Sequence, residues 1–498
     1  MDEIAWNEQI KQGTTADQDS GTLDTSKDPV PYTVQRIEFW NSFANEIDKW
    51  AGRRENYQRP LRHIYQTLVP PGMRVLELGC SQGDLLASLQ PAYGVGVDFS
   101  TEMVARARRR YPEHHFVQAD AHSVDLRERF DYIVCADLVN DLWDVQRVFE
   151  AVARHSHSET RLIVNAYSRV WELPRKAAEF AGIVKSQLPQ NWLTASDIED
   201  LLFLAGFETL RTFQEILLPI GVPVLSNFAN RFLVKLPPFR WFALANFVVA
   251  RPRPAAKRAV EPIVTVVVPA RNEAGNVPEI FARVPEMGAG TDLIFVEGNS
   301  SDNTYAAIEA EIAKTARPRV RLLKQPGKGK GDAVRTGFDA AEGDILMILD
   351  ADLTVPPEDL PRFYEAWLAG ADFVNGVRLV YPMEEKAMRF FNMLGNKFFS
   401  LVFTWLLGQS IKDTLCGTKV LSKKHYQMIA ANRDYFGDID PFGDFDLLFG
   451  AAKYNLKIAG LPVRYRQRVY GTTNIQRWKH GVLLLRMAAK AMFKLKFV

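Results

Sequence analysis

Two carboxylates one residue apart, Asp350 and Asp352, close an otherwise apolar run over 343–353 (Gly-Asp-Ile-Leu-Met-Ile-Leu-Asp-Ala-Asp-Leu). Asp-x-Asp sets two hard oxygen donors side by side, which suits Mg²⁺ or Mn²⁺ holding a diphosphate. Two solvated aspartates at a strand end are the plainer reading. Upstream, Gly327-Lys328-Gly329-Lys330-Gly331-Asp332 puts glycines and lysines ahead of a helix. That is an anion site made of backbone N–H groups, a helix dipole and mobile cations. It is not a P-loop, because the G-x-x-x-x-G-K-[ST] spacing is missing. Gly443-Asp444-Phe445-Asp446 offers two more carboxylates, either a general base or acids favouring a helix N-terminus. Far from these, Glu77-x-Gly79-x-x-x-Gly83 marks a glycine turn. Its glycines can let the backbone approach a ligand closely. Asp98, about twenty residues on, stands where a ribose-binding acid stands in a nucleotide-binding βαβ unit.

The elements that must hold these groups can be read from the apolar runs. Residues 345–349 are continuously apolar, so they predict a strand buried on both faces. Its carboxylates then lie at the carboxyl end of a central strand, where open α/β sheets bind ligands. Residues 264–268 predict a first strand entering the polar turn Pro269-Ala270-Arg271-Asn272-Glu273, with a helix starting near Asn276-Val277-Pro278. Residues 293–297 predict a strand ending at Glu297, followed by a Gly/Asn/Ser turn and a helix cap at Asp302. Residues 320–323 and 374–378 predict two more strands, the second ending in Arg378. The N-terminal half repeats the pattern with strands at 74–78, 94–97, 115–119, 130–135 and 160–165. Helices at 34–69 should cover this sheet, and apolar segments up to residue 250 should close it.

A chain of 498 residues, 47% apolar and 24% charged, is globular and longer than one domain. We expect a disordered leader over 1–30 and a first domain over 31–250. A Pro-rich basic linker follows over 251–261, then a second domain over 262–475 and a basic tail over 476–498. Three scattered cysteines exclude a disulfide framework and point to a reducing compartment. The opening residues are acidic and polar, so no signal peptide is expected. No stretch approaches the ~20 apolar residues of a membrane span.

Asp446 is the last acidic residue. Beyond it, cations from Lys453 to Lys496 interleave with apolar side chains, and 385–407 carries apolar residues at helical spacing. Such segments suit an anionic membrane surface, at about 1 kcal/mol per well-placed cation. Solvated or core helices are the alternative. Nucleic acid ranks last, because no nucleic-acid motif accompanies the charge. The expected location is the cytoplasm, peripheral to the inner face of the membrane.

In the first domain, V-L-E-L-G-C-S-Q-G, V-D-F-S, Q-A-D-A and F-D-Y-I-V resemble the class I S-adenosylmethionine-dependent methyltransferases, whose fold is Rossmann-like α/β. An NAD site would favour G-x-G-x-x-G, and Ser81 stands at its middle glycine. The resemblance implies that Glu77, Gly79 and Gly83 frame the methionine part of S-adenosylmethionine. It also implies that Asp98 holds the ribose and that Asp120 and Ala121 lie by the adenine. Methyl transfer to oxygen would need a base. Asp137, Asp141 and His155 are the candidates, each also readable as a surface or capping residue.

In the second domain, V-V-V-P-A-R-N-E, V-E-G-N-S-S-D-N-T, K-G-K-G-D-A and I-L-D-A-D-L resemble the family 2 glycosyltransferases of the GT-A fold. This implies that Pro269, Arg271, Glu273, Glu297, Asp302, Lys328, Asp350 and Arg378 bind a nucleotide-diphosphate sugar, with metal on Asp350 and Asp352. The stretch 385–419 resembles the polyprenyl-phosphate sugar transferases. By that resemblance, Arg389, Asn396 and Lys419 would grip a lipid phosphate. A phosphate acceptor, with a second pKa of ~6, needs no base. A sugar-hydroxyl acceptor would make Asp444 or Asp446 the base. Two other readings stay open: a scaffold with a degenerate cofactor module, and a sugar nucleotidyltransferase, which the Pro269–Glu273 turn disfavours.

Overall fold

The computed structural model describes residues 30–182, 184–254, 261–378, 390–433, 443, 445–463, 465, 466, 468, 470 and 477–497. The leader, most of the linker, Arg389 and Asp444 lie outside the described residues. The chain divides into two compact units, Met1–Pro252 and Arg253–Val498.

The first unit is built on seven strands: β1 (Arg74–Leu78), β2 (Tyr93–Asp98), β3 (His115–Gln118), β4 (Phe130–Ala136), β5 (Ser156–Tyr167), β6 (Phe207–Glu215) and β7 (Ala245–Pro252). Their order is β3-β2-β1-β4-β5-β7-β6. Only β7 runs against its neighbours, pairing antiparallel with β5 and β6. The order reverses between β1 and β4, which opens a crevice at their carboxyl ends. Val75, Leu76 and Leu78 are buried, as the continuous apolar run requires. The helices Val30–Glu46 and Ala51–Leu68 follow the N-terminal periodicity. Tyr65 of the second helix packs its ring 5.6 Å from that of Phe247. The linker begins later than expected, because Arg251 and Pro252 belong to β7 and Arg251 pairs with Glu208 at 2.7 Å.

The apolar segments up to residue 250 close the sheet through β6 and β7, as expected. The crossover between them, 216–244, sends Ile216 and Leu244 to the core beside the sheet. Its helix Pro223–Arg231 and turn Phe239–Phe242 leave Val224, Leu225, Phe228 and Trp241 exposed.

The second unit holds β8 (Val264–Ala270), β9 (Thr291–Glu297), β10 (Val320–Lys324), β11 (Ile345–Ile348), β12 (Phe373–Val377), β13 (Lys419–Ser422) and β14 (Ile458–Pro462). The order is β10-β9-β8-β11-β13-β12-β14. β13 is antiparallel to β11 and β12, and the other pairings are parallel. All four residues of β11 are buried. The helix Lys330–Ala340 lies so close to β8 that a Cβ on Gly337 would overlap Val267. Here too the order reverses, between β8 and β11, and Glu273 and Asp350 leave the sheet on either side of that crevice. Both units are therefore α/β, as the sequence patterns require.

Candidate functional sites

In the first unit a cavity of about 400 Å³ is lined by Glu77, Gly79, Ser81, Asp98, Asp120, Ala121 and Asp137. Asp98 ends β2. Its two carboxylate oxygens accept N–H bonds from Ser81 and Ser100, both at 2.9 Å. Burial nevertheless pushes its carboxyl up to about 6. Glu77 accepts the Leu86 N–H at 2.9 Å, and burial raises it well above the usual carboxylate range. At Asp120 burial is outweighed by hydrogen bonds from His122, which hold the carboxyl low.

Gly83 is not part of the cavity wall. Its φ of +82° and the Phe116 ring, 2.7 Å from where a Cβ would stand, make glycine necessary there. Leu138 plays the same part beside Gly79, at 2.9 Å. Packing alone already requires glycine at both positions, and Gly79 also lines the cavity.

Of the three base candidates, His155 is buried in the core. Its Nε2 accepts the Leu126 N–H at 2.9 Å, and its Nδ1 lies 2.8 Å from the Ala151 carbonyl. Asp137 stands at the N-cap of the 3-10 turn Leu138–Asn140 but makes no side-chain cap bond. It follows β4 in the left-handed region (φ 55°) and lines the cavity. Tyr57 donates to its Oδ1 at 2.7 Å, and Asn165 donates to the same oxygen. Burial pushes its carboxyl up to about 6. Asp141 also lines the cavity, with Arg36 at 3.8 Å. These residues fit the adenosyl cofactor: acids stand at the ends of β2 and β3, and the cavity lies at the reversal of strand order.

In the second unit the two predicted carboxylates meet cations. Lys330 Nζ is 2.6 Å from Asp350 Oδ1, and Arg468 is 2.5 Å from Asp352 Oδ2. Arg468 also reaches Glu273 Oε1 at 3.2 Å, so one guanidinium joins the β8 and β11 sides of the crevice. Burial tends to raise the Asp350 carboxyl, but Lys330 and the more distant Lys419 and Arg378 hold it below the ordinary value. Burial pushes Glu273 up to about 7, against the pull of Arg468. A Cβ on Gly417 would collide with both Asp350 and Lys330, so glycine is needed there.

No group of three or more His, Cys, Asp or Glu side chains that could hold a metal exists among the described residues. The site therefore offers two carboxylates. That fits Mg²⁺, which takes one or two carboxylates and completes its shell with water and substrate phosphates.

The remaining predicted residues divide into two groups. Pro269 and Arg271 follow the β8 strand into its turn, with Arg271 exposed. Glu297 ends β9 and accepts the Ser300 N–H at 2.6 Å. Asp302 accepts the Thr304 N–H at 3.0 Å, closing the same loop. Lys328 is exposed, while Lys330, two residues on, is the lysine at Asp350.

Three predicted residues are already paired within the protein. Arg378 does not face the crevice as a free cation, because both ends of its guanidinium bind Asp413, at 2.7 and 2.9 Å. Asn396 is buried and donates to the same Asp413 at 2.8 Å. Lys419 is buried, giving hydrogen bonds to Asn375 Oδ1 at 2.9 Å and to the Cys416 carbonyl at 2.6 Å. A buried Asp413 needs this many donors to remain ionised. Asp446 lies between Arg335 at 3.8 Å and Arg433 at 3.5 Å.

Sequence reasoning missed Arg468, which counts there only among the C-terminal cations, and gave Asp413 no role although the 385–419 stretch contains it. It named Lys328, whereas the lysine beside Asp350 is Lys330, two residues on in the same glycine-lysine run.

Residues 265–439 match the model of the glycosyl transferase family 2, and residues 75–158 match that of a methyltransferase domain. The chain thus carries a methyltransferase domain followed by a family 2 glycosyltransferase domain. A dolichol-phosphate mannosyltransferase of Pyrococcus furiosus is 31% identical over 220 residues, 43% of this chain and 59% of that enzyme. An undecaprenyl-phosphate 4-deoxy-4-formamido-L-arabinose transferase of Pseudomonas aeruginosa is 31% identical over 120 residues, 23% of this chain and 35% of that enzyme. The chain thus spans between a third and three fifths of these relatives. Among solved structures, glucosyl-3-phosphoglycerate synthase of Mycobacterium tuberculosis is 18% identical at a TM-score of 0.36, covering 47% of this chain and 80% of that one.

Proposed function

We propose that the second unit transfers a sugar from a nucleotide-diphosphate sugar to a polyprenyl phosphate. We further propose that the first unit transfers a methyl group from S-adenosylmethionine to a sugar or glycolipid of the same pathway. The observation that carries the first part is the meeting of Asp350, Asp352 and Glu273 with Lys330 and Arg468 at one crevice. Mg²⁺ or Mn²⁺ held by Asp350 and Asp352 would supply positive charge to the leaving diphosphate. Lys330 and Arg468 are long side chains already at the site, and they turn from the carboxylates towards phosphate oxygens when a donor enters. Pro269 and Glu297, at the ends of β8 and β9, and Arg271 and Asp302, on the loops that follow, line the nucleotide.

Asp446, the predicted base that lies among the described residues, bears on the choice of acceptor. A phosphate monoester is largely ionised at neutral pH and attacks the anomeric carbon without one. Asp446, held between two arginines, is a poor proton acceptor, so a hydroxyl would find little help from it. The names of the two relatives point to the same acceptor class.

The unit reaches its lipid by lying on the membrane surface. The helix Phe390–Leu407 and the C-terminal helix Arg477–Ala491 expose Phe398, Leu401 and Leu485 beside Lys397 and Arg486. No helix among the described residues is long and apolar enough to cross a membrane.

The test is a panel of nucleotide sugars with polyprenyl phosphate and Mg²⁺ or Mn²⁺, beside Asp352→Ala. Metal-dependent lipid product that disappears in the variant supports the reading, and no turnover of any donor refutes it. For the first unit, calorimetry with S-adenosylmethionine is the test, and absence of binding leaves a scaffold role.

A further inference from the structure

The first unit carries an apolar surface of its own, far larger than scattered exposed side chains account for. Two segments form it. On the helix Glu172–Phe180, Leu173 and Phe180 are seven residues apart and so share one face, at 75% and 97% exposure. On the β6–β7 crossover, Val224 is 85% and Trp241 62% exposed, with Leu225, Phe228, Phe239 and Phe242 beside them in sequence. The segments are joined: Trp171 Nε1 donates to the Phe242 carbonyl at 2.8 Å, and Ser168 N–H donates to the Leu244 carbonyl at 2.7 Å. Both also supply wall to the cavity, through Trp171, Pro174 and Arg175 on one side and Pro219 and Leu244 on the other. The apolar surface therefore runs up to the mouth of the cofactor cavity.

The charge of the crossover is one-sided. Between Glu215 and Glu261 there is no acidic residue. Arg231 and Arg240 are exposed within the crossover, and Arg169 is exposed on the other segment, where Glu172 and Glu179 pair with Lys176 and Arg175. Exposed aromatic and aliphatic side chains with interspersed cations match an anionic bilayer surface, with the apolar tips in the headgroup boundary and the cations at the phosphates.

We infer that the 169–180 and 216–244 segments dock the methyltransferase unit on an anionic membrane and present its cavity to a lipid-borne methyl acceptor. This surface is separate from the one assigned to the second unit, and it stands if that assignment fails.

The test is local to the surface. Cys80, Cys135 and Cys416 are buried, so Val224→Cys in the full chain gives one accessible thiol for a polarity-sensitive fluorophore. Vesicles of phosphatidylcholine with phosphatidylglycerol should shift its emission to the blue, and brominated lipid should quench it. Pure phosphatidylcholine should do much less. Arg231→Gln with Arg240→Gln should weaken the response by about 5-fold per charge removed. An unshifted label while the protein floats with vesicles assigns binding to the other unit and overturns the inference. A shift that needs no lipid and grows with protein concentration assigns the surface to a second copy and overturns it equally. S-adenosylhomocysteine binding checks that each variant is folded.

Discussion

Lys330 Nζ sits 2.6 Å from Asp350 Oδ1, on the first residue of the helix that follows the Gly327–Gly331 run. A lysine at the start of a helix, held beside a carboxylate, is a cation waiting at an anion site. Lys328 belongs to the same run but is exposed. The motif resemblance implies Lys328 as the donor-binding lysine, but the lysine at the carboxylate is Lys330. Lys330→Met should lower kcat/KM for sugar transfer by about 10²–10³, the loss that follows removal of one preorganised donor. Lys328→Met should change it far less. Steady-state transfer assays on the two variants check this.

Arg378 and Asp413 form a buried two-point ion pair braced by Asn396. Breaking it leaves a buried charge, which costs about 3–5 kcal/mol. Arg378→Met should therefore lower the unfolding midpoint of the second unit sharply. Donor affinity, measured on the protein still folded, should change little. A selective loss of donor binding at unchanged stability would return Arg378 to the diphosphate.

Burial opposes ionisation of Asp413, but Arg378 and Asn396 pull its carboxyl down to about 2. A depressed carboxyl stabilises the fold above its unfolded value and loses that contribution as pH falls through its folded value. The Arg378–Asp413 contribution should therefore hold down to about pH 4 and fade towards pH 2. Acid unfolding of wild type and Asp413→Asn should converge there.

Asp98 and Asp137 behave in the opposite sense, because burial raises both to about 6 from an ordinary 3.8. Each binds its proton more tightly folded than unfolded, so stability falls as pH rises from about 4 through 6. Asp137→Asn keeps an acceptor for Tyr57 and should raise the melting temperature of the first unit at pH 7.5. Ribose hydroxyls donate best to an ionised Asp98, so S-adenosylhomocysteine should bind more weakly below about pH 6. Asp98→Asn should remove that pH dependence. Calorimetry across pH 5–8 reads both effects.

Ser81 holds φ +49°, where a side chain is strained and glycine is not. Ser81→Gly should stabilise the first unit by about 0.5–1 kcal/mol. Its N–H bond to Asp98 is a backbone bond and should survive, so cofactor affinity should stay within a few-fold of wild type. Thermal melts with and without S-adenosylhomocysteine test both halves.

Much of the fold could be read in advance because buried parallel strands are short continuous apolar runs bounded by turns. That is why β1, β8 and β11 stand where the patterns put them. Residues whose role depends on strand ends, such as Asp98, Glu297 and Asp350, follow from the same logic. What could not be read depends on contacts distant in sequence. Arg468 reaches Asp352 across more than a hundred residues, and Asp413 draws Arg378 and Asn396 inward. The crossover before β7 was legible only as apolar composition, which signals a face to be covered but not by what.

The central claim is that the second unit transfers sugar to a phosphate on a lipid. Its most direct test compares polyprenyl phosphate with the corresponding free polyprenol as acceptors, for wild type, Asp352→Asn and Asp446→Asn, with folding of each checked by melting. The account predicts product on the phosphate only, lost in Asp352→Asn and retained in Asp446→Asn. Product on the free alcohol that depends on Asp446 and survives Asp352→Asn would contradict it.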